Sequence, residues 1–235
     1  ILPEKLLNPI VVNTMNTIKS GDINKFQDLS TIGIFPELGI VKSTEKELWL
    51  RELKKIKNLK KLKIVSVGTN MGHEISALLE LGVPKENITS IDKDGFPKLW
   101  KNAGINVIEK PIEEVNNMKF DLAVGNPPYQ DPTKPRHKLW TKFLVNSFSM
   151  SERVAFITPK GASQILSGLE VDQTSLTDFF VEYYNGLDVD KHFDVGSDFC
   201  FFVISKTYSE NFIVKTENGN ELWKQGSYIP YVTNS

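Results

Sequence analysis

Lys63-Ile-Val-Ser-Val-Gly-Thr-Asn-Met-Gly-His-Glu74 is an apolar run of strand character that enters a turn bearing two glycines and leaves it toward a helix. From residue 62 onward, short apolar runs alternate with helical segments, which is the pattern of a parallel α/β sheet. Strands are predicted at 62–67, 88–91, 105–108, 120–124 and 153–157, with helices at 72–81, 96–102 and, after a longer loop, 139–148. Beyond about residue 167 the alternation loosens into β-rich runs at 179–184, 199–205 and 211–215, and the last two are expected to close the sheet as an antiparallel hairpin. Upstream, residues 3–19 and 44–61 read as helices, the second opening on Thr44 and Glu47 at capping-box spacing. The expected organisation is an N-terminal helical extension over 1–61, an α/β domain over 62–206, and a C-terminal extension over 207–235.

With 235 residues, 40% hydrophobic and 24% charged, the composition is that of an ordinary folded domain and excludes disordered and collagen-like classes. The longest uncharged stretch, residues 6–18, is too short to span a bilayer and lacks the flanks of a signal peptide, so a soluble, cytoplasmic protein without a membrane partner is expected. The single cysteine, Cys200, lies among Phe199, Phe201 and Phe202, which implies packing in a reducing compartment. The net charge of −1 is unevenly spread. Seven basic residues against Glu52 fall between Arg51 and Lys63, and Leu50, Leu53, Ile56 and Leu59 at helical spacing make those lysines the wet face of a helix. A second basic cluster, Lys134, Arg136, His137, Lys138 and Lys142, lies in the predicted loop, whereas residues 170–198 hold eight acids against Lys191 alone and are not expected to face phosphates.

Two stretches carry chemistry. In an open α/β sheet, ligands bind at the carboxyl ends of strands, and glycines there let backbone N–H groups approach closely. Gly68 and Gly72, followed by Asp92 at the end of the next strand, therefore read as a nucleoside-binding edge, although two glycines and an acid also occur in plain structural turns. The second stretch is Phe120-Asp-Leu-Ala-Val-Gly-Asn-Pro-Pro-Tyr-Gln130. Pro127 and Pro128 fix two φ angles and remove two donors, leaving a stiff, acceptor-rich turn. A planar amine there can donate to the Asn126 amide oxygen and the Pro127 carbonyl while Tyr129 covers its face.

At these residues the chain resembles the S-adenosylmethionine-dependent amino-methyltransferases, and in particular the DNA N6-adenine methyltransferases of restriction-modification systems and phages. The resemblance runs from about residue 62 to 205. It includes Leu139-Trp-Thr-Lys-Phe-Leu-Val-Asn-Ser-Phe148, Val154-Ala-Phe-Ile-Thr-Pro-Lys-Gly161 and His192-Phe-Asp-Val-Gly-Ser-Asp-Phe-Cys-Phe-Phe-Val-Ile-Ser205. It implies a Rossmann-like methyltransferase fold and S-adenosylmethionine as cofactor, held by Gly68, Asn70, Gly72, Asp92, Glu109 and Asn126. It also implies catalysis by Asn126, Pro127, Pro128 and Tyr129 without a metal. An aromatic against the second face of the target base is assigned to Phe193, with Phe199 as substitute. The chain departs from the family's pattern at Ser66, where an acid is usual, and at Asn70, where a glycine is usual; Asn tolerates left-handed backbone. Phe35-Pro36-Glu37 stands where the family has its N-terminal cofactor motif, and Lys110-Pro111 follow Glu109 in place of the usual sequence.

The reaction so implied is methyl transfer to the exocyclic N6 amine of an adenine flipped out of double-stranded DNA. Lys134, Arg136 and Lys138, with Trp140 near the end of the loop, would contact phosphates beside it. Rival substrates with the same geometry are RNA adenine, the N4 amine of cytosine and the glutamine amide of a release factor. A non-catalytic nucleic-acid binder is the alternative from another class. With about 30 residues after Ser205 and Tyr228-Ile-Pro-Tyr231 near the end, recognition is expected from a missing C-terminal region or a separate subunit.

Overall fold

The structure is a computed structural model and describes residues 9–31, 44–115, 117–131, 134–193 and 198–230. Phe35, Pro36 and the segment 194–197 lie outside the described residues, as do the side chains of Thr44, Lys134, Arg136 and His137.

Helices α1 (Pro9–Ser20), α2 (Ile23–Thr31) and α3 (Thr44–Leu53) precede the first strand. The predicted helix over 44–61 is shorter than expected. Asn58 adopts left-handed backbone at φ +57°, which no α-helix continues through, and a 3₁₀ turn at Leu59–Lys61 follows. Leu53, Ile56 and Leu59 are nevertheless all buried, as their spacing requires. Helix α2 falls in a stretch whose sequence carries no clear pattern.

Next come β1 (Ile64–Val67), α4 (His73–Glu80), β2 (Ile88–Ile91), α5 (Pro97–Asn102), β3 (Asn106–Ile108) and β4 (Phe120–Gly125). A two-stranded antiparallel ribbon, β5 (Gln130–Asp131) and β6 (Lys134–Lys138), occupies the stretch expected to be a loop. Then follow α6 (Leu139–Met150), β7 (Ser151–Pro159), α7 (Ala162–Leu166), β8 (Phe180–Asn185), β9 (Phe199–Ser205), β10 (Asn211–Thr216) and β11 (Gly219–Lys224). Trp140 falls within the predicted helix 139–148, and in α6 it is buried, where its large apolar ring gains most from leaving water, rather than placed beside phosphates at the loop end.

The main sheet has the order β11-β10-β8-β9-β7-β4-β1-β2-β3. Strands β3, β2, β1, β4 and β7 run parallel to one another, while β9 runs antiparallel to both β7 and β8. A terminal antiparallel hairpin is present, but its strands are β10 and β11; β9 and β10 do not touch, because β8 lies between them. The sheet is doubly wound, so alternate residues of one strand serve two cores. Ile64, Leu122 and Ile157 join helices α2 to α5 on one face, and Val65, Ala123 and Phe156 join α6 and α7 on the other. Strand order reverses between β1 and β4, so the turns after these strands meet at one carboxyl edge.

Candidate active site

The turn after β1 is built on left-handed backbone at Gly68 (φ +63°), Asn70 (φ +42°) and Gly72 (φ +64°). Asn70 is thus in the conformation its side chain tolerates. At Gly72 space also enforces glycine, because a Cβ there would meet Trp100 Cη2 at 2.3 Å, whereas one on Gly68 would lie in ordinary contact with Pro128 Cδ at 3.4 Å and only the backbone conformation favours glycine. Helix α2 lies over this turn: Gln27 Nε2 donates to the Met71 carbonyl at 3.2 Å, and Phe26 packs edge-on against Phe96 at 4.7 Å.

Ser66 stands where an acid was expected, and the structure delivers one from the following helix. Ser66 Oγ donates to Glu74 Oε1 at 2.6 Å and lies 2.7 Å from Thr69 Oγ1, which is itself 2.7 Å from Ser90 Oγ. Burial pushes the Glu74 carboxyl up to about 8, against the opposing hydrogen bond from Ser66.

Asp92 ends β2 and is buried. Its carboxylate accepts from Gly95 N and Phe96 N at 2.9 Å each and from Trp100 Nε1 at 3.1 Å. Burial raises its pKa, and these three donors counter the rise. With about four lone-pair sites on a carboxylate, three are engaged in shaping the loop into α5, and one direction stays open. Glu109, by contrast, is exposed and ion-paired with Lys101 of α5.

At the end of β4, Asn126 and Tyr129 are half-buried, Pro127 is buried and Pro128 is exposed. Tyr129 Oη donates to Asn126 Oδ1, and Asn126 Nδ2 donates to Glu45 Oε1 of α3 at 3.0 Å. Burial drives the Tyr129 phenol well above its ordinary pKa, so it stays a donor. The Tyr129 ring lies 5.1 Å from Phe199, which in turn lies 4.8 Å from Phe193. Phe199 is therefore the aromatic against Tyr129, and Phe193 is one ring further out. Lys160, buried after β7, bonds Asp190 at 3.2 Å and fastens the segment that carries Phe193. Lys138 is exposed, and its backbone N–H donates to Asp172 at 2.8 Å.

Sequence reasoning passed over Glu45, His73, Glu74 and Lys160. Glu74 had a signal, an acid just beyond a strand whose own acid is missing. Glu45 had none, because its contact spans 81 residues of chain. The buried nitrogens of His73 and the buried Oδ1 of Asn70 have no hydrogen-bond partner among the described residues. Burial lowers the His73 pKa. No cluster of three or more His, Cys, Asp or Glu among the described residues could hold a metal, and none of their helices is long and apolar enough to cross a membrane. Cys200 is buried and its thiol is pushed up to about 12 by burial, in keeping with a packing role.

A doubly wound sheet with a glycine turn after β1, an acid ending β2 and Asn-Pro-Pro-Tyr after β4 is the architecture of a class I, Rossmann-like methyltransferase. More narrowly, the chain belongs to the Eco57I restriction-modification methylase family, whose model matches residues 30–179. No curated protein matches the chain. Among solved structures, a class I S-adenosylmethionine-dependent methyltransferase candidate from Listeria monocytogenes superposes with a TM-score of 0.57 at 12% identity, over 81% of this chain and 70% of that one. The modification subunit of a proposed type I restriction enzyme from Vibrio vulnificus YJ016 gives 0.55 at 10% identity, over 89% of this chain and 52% of that subunit, so the chain spans about half its length. A candidate RNA methyltransferase from Pyrococcus horikoshii gives 0.53 at 18% identity, over 73% and 88%. At such identities the likeness is one of fold. The site suits the cofactor that the family implies, S-adenosylmethionine: the turn runs through left-handed backbone at Gly68 and Gly72, and the orphaned polar atoms of Asn70 and His73 sit beside it.

Proposed function

We propose that this methylase transfers a methyl group from S-adenosylmethionine to the exocyclic N6 amine of an adenine flipped out of double-stranded DNA. The observation that carries the reading is the pairing of Asn126 and Tyr129 on a proline-stiffened turn that lies beside Gly68, so close that an added Cβ there would be in contact with Pro128. When bound, the cofactor supplies a sulfonium methyl: the amine lone pair forms the N–C bond as the C–S bond breaks to leave a neutral thioether, and the surplus proton of the amine passes to solvent.

The chain's own part is alignment and electrostatics. Gly68, Asn70, Gly72 and Asp92 hold the cofactor, Asp92 through its remaining acceptor direction. Asn126 Oδ1 and the Pro127 carbonyl accept the two N–H bonds of the amine, which localises its lone pair on nitrogen. Tyr129 covers one face of the base and the Phe199–Phe193 pair borders the pocket beyond it. In the free protein the Tyr129 hydroxyl occupies Asn126 Oδ1, so an incoming amine takes the place of that hydroxyl. The ribbon bearing Lys134, Arg136 and Lys138 follows the motif directly and contacts phosphates flanking the flipped base. Recognition of a particular sequence comes from another subunit or a further domain.

The test offers the chain labelled cofactor with unmethylated duplex DNA, structured RNA and a release factor together. Label in DNA is expected. Label confined to RNA or to protein would overturn the substrate, and label in none of them would overturn the transfer.

A further inference from the structure

We propose that Glu45 is a positioning residue for Asn126, fixing which way its amide faces and strengthening its oxygen as an acceptor; the inference rests on the reading of Asn126 as the group that receives the amine. An asparagine amide is nearly symmetrical in shape, and only its partners decide which end faces the substrate. A carboxylate accepts and cannot donate. With Glu45 Oε1 3.0 Å from Nδ2, a flipped amide would set two oxygens against each other, so the flipped state is excluded and Oδ1 is held toward Tyr129 and the pocket.

Glu45 is itself well anchored. It is buried in the first turn of α3, and Trp49 Nε1 donates to the same Oε1 at 3.3 Å. Trp49 is fully buried, edge-on to Phe201 of the sheet at 5.8 Å. Helix α3 is tied down further along, where Arg51 clasps Asp188 in two bonds of 3.0 Å each and Asn185 Nδ2 donates to Glu52 at 3.1 Å. The contact with Asn126 therefore survives departure of the Tyr129 hydroxyl.

The chemistry gives this orientation a use. As the amine attacks, its nitrogen gains positive charge and its N–H groups become stronger donors. A negative group on the Nδ2 side polarises the amide along the hydrogen-bond chain and makes Oδ1 a better acceptor at that moment. Glu45 touches neither base nor cofactor in this account; it acts through Asn126.

The test compares the wild-type chain with Glu45→Gln and Glu45→Asp. Gln has the same shape but can present either end to Asn126, and Asp keeps the charge. Methyl transfer to duplex DNA at saturating cofactor is read beside the dissociation constant for S-adenosylhomocysteine, the melting temperature and the side-chain amide resonances of Asn126. For Glu45→Gln the expected result is a loss of about 10- to 100-fold in kcat. Cofactor-product affinity should stay within about twofold and melting little changed, while Asp recovers part of the rate. A rate for Glu45→Gln within about twofold of wild type would overturn the proposal. So would a loss that merely follows a fall in cofactor affinity or melting temperature. If the wild-type chain methylates nothing, the reading of the reaction fails, and the Asn126 resonances still decide: displaced amide protons in Glu45→Gln uphold the contact and unmoved ones overturn it.

Discussion

Gly72 passes directly beneath the indole of Trp100, so closely that a single added methyl would sit 2.3 Å from its Cη2. Trp100 also donates to Asp92, so this one contact joins the turn after β1 to the acid that ends β2. Gly72→Ala forces a side chain into left-handed backbone, at about 1 kcal/mol or more, and pushes Trp100 off Asp92. A melting temperature lower by several degrees and a loss of at least about tenfold in S-adenosylhomocysteine affinity are expected from thermal denaturation and calorimetry.

Asp92→Asn isolates the acid. The variant keeps one acceptor oxygen, which can serve Phe96 N and Trp100 Nε1 at the place of Oδ2, but it then turns an NH2 group toward Gly95 N at the place of Oδ1, and the opposite orientation faces two donors instead of one. Leaving such donors unpaired costs about 1–3 kcal/mol. Calorimetric titration should show affinity for the cofactor product reduced by at least about tenfold. Unchanged affinity would remove Asp92 from the cofactor site.

Glu74 makes stability depend on pH. Its carboxyl titrates near 8 in the folded protein, against 4.5 for the ordinary side chain. Below about 4.5 it is protonated in both states; between there and about 8 the unfolded chain gives up the proton and the folded chain keeps it. Stability therefore falls as pH rises through that window, by an upper bound of about 5 kcal/mol. Glu74→Gln preserves the acceptor for Ser66 and should flatten the fall in melting temperature between about pH 5 and 9.

Tyr129→Phe removes the hydroxyl that caps Asn126 Oδ1 and leaves the ring on Phe199. Stability should drop by about 0.5–1.5 kcal/mol, the net contribution of one part-buried hydrogen bond. Because the face that covers the base is retained, kcat should stay within about tenfold of wild type, whereas Tyr129→Ala should lose far more. Steady-state kinetics on the two variants separates the roles.

Much of this architecture could be read from local pattern. The strand from Phe120 and the turn at Asn126 are contiguous in sequence, and the left-handed Asn70 follows from its residue type. The exchange that places β9 beside β7 was not legible, because the apolar runs of β8, β9 and β10 look alike and only packing chooses their order. Helix α2 carries no local signal, because its contacts, Gln27 with Met71 and Phe26 with Phe96, lie far along the chain. The same distance hid Glu45. At Ser66 the sequence shows only a missing acid, because periodicity along β1 cannot show that α4 returns Glu74 to the same place.

The most direct measurement is the nucleoside composition of duplex DNA after incubation with S-adenosylmethionine and either the wild-type chain or Asn126→Ala. N6-methyladenine is expected from the wild type and none from Asn126→Ala, which should still bind S-adenosylhomocysteine. Equal N6-methyladenine from both proteins, or a methyl group found only on another nucleoside, would contradict this expectation.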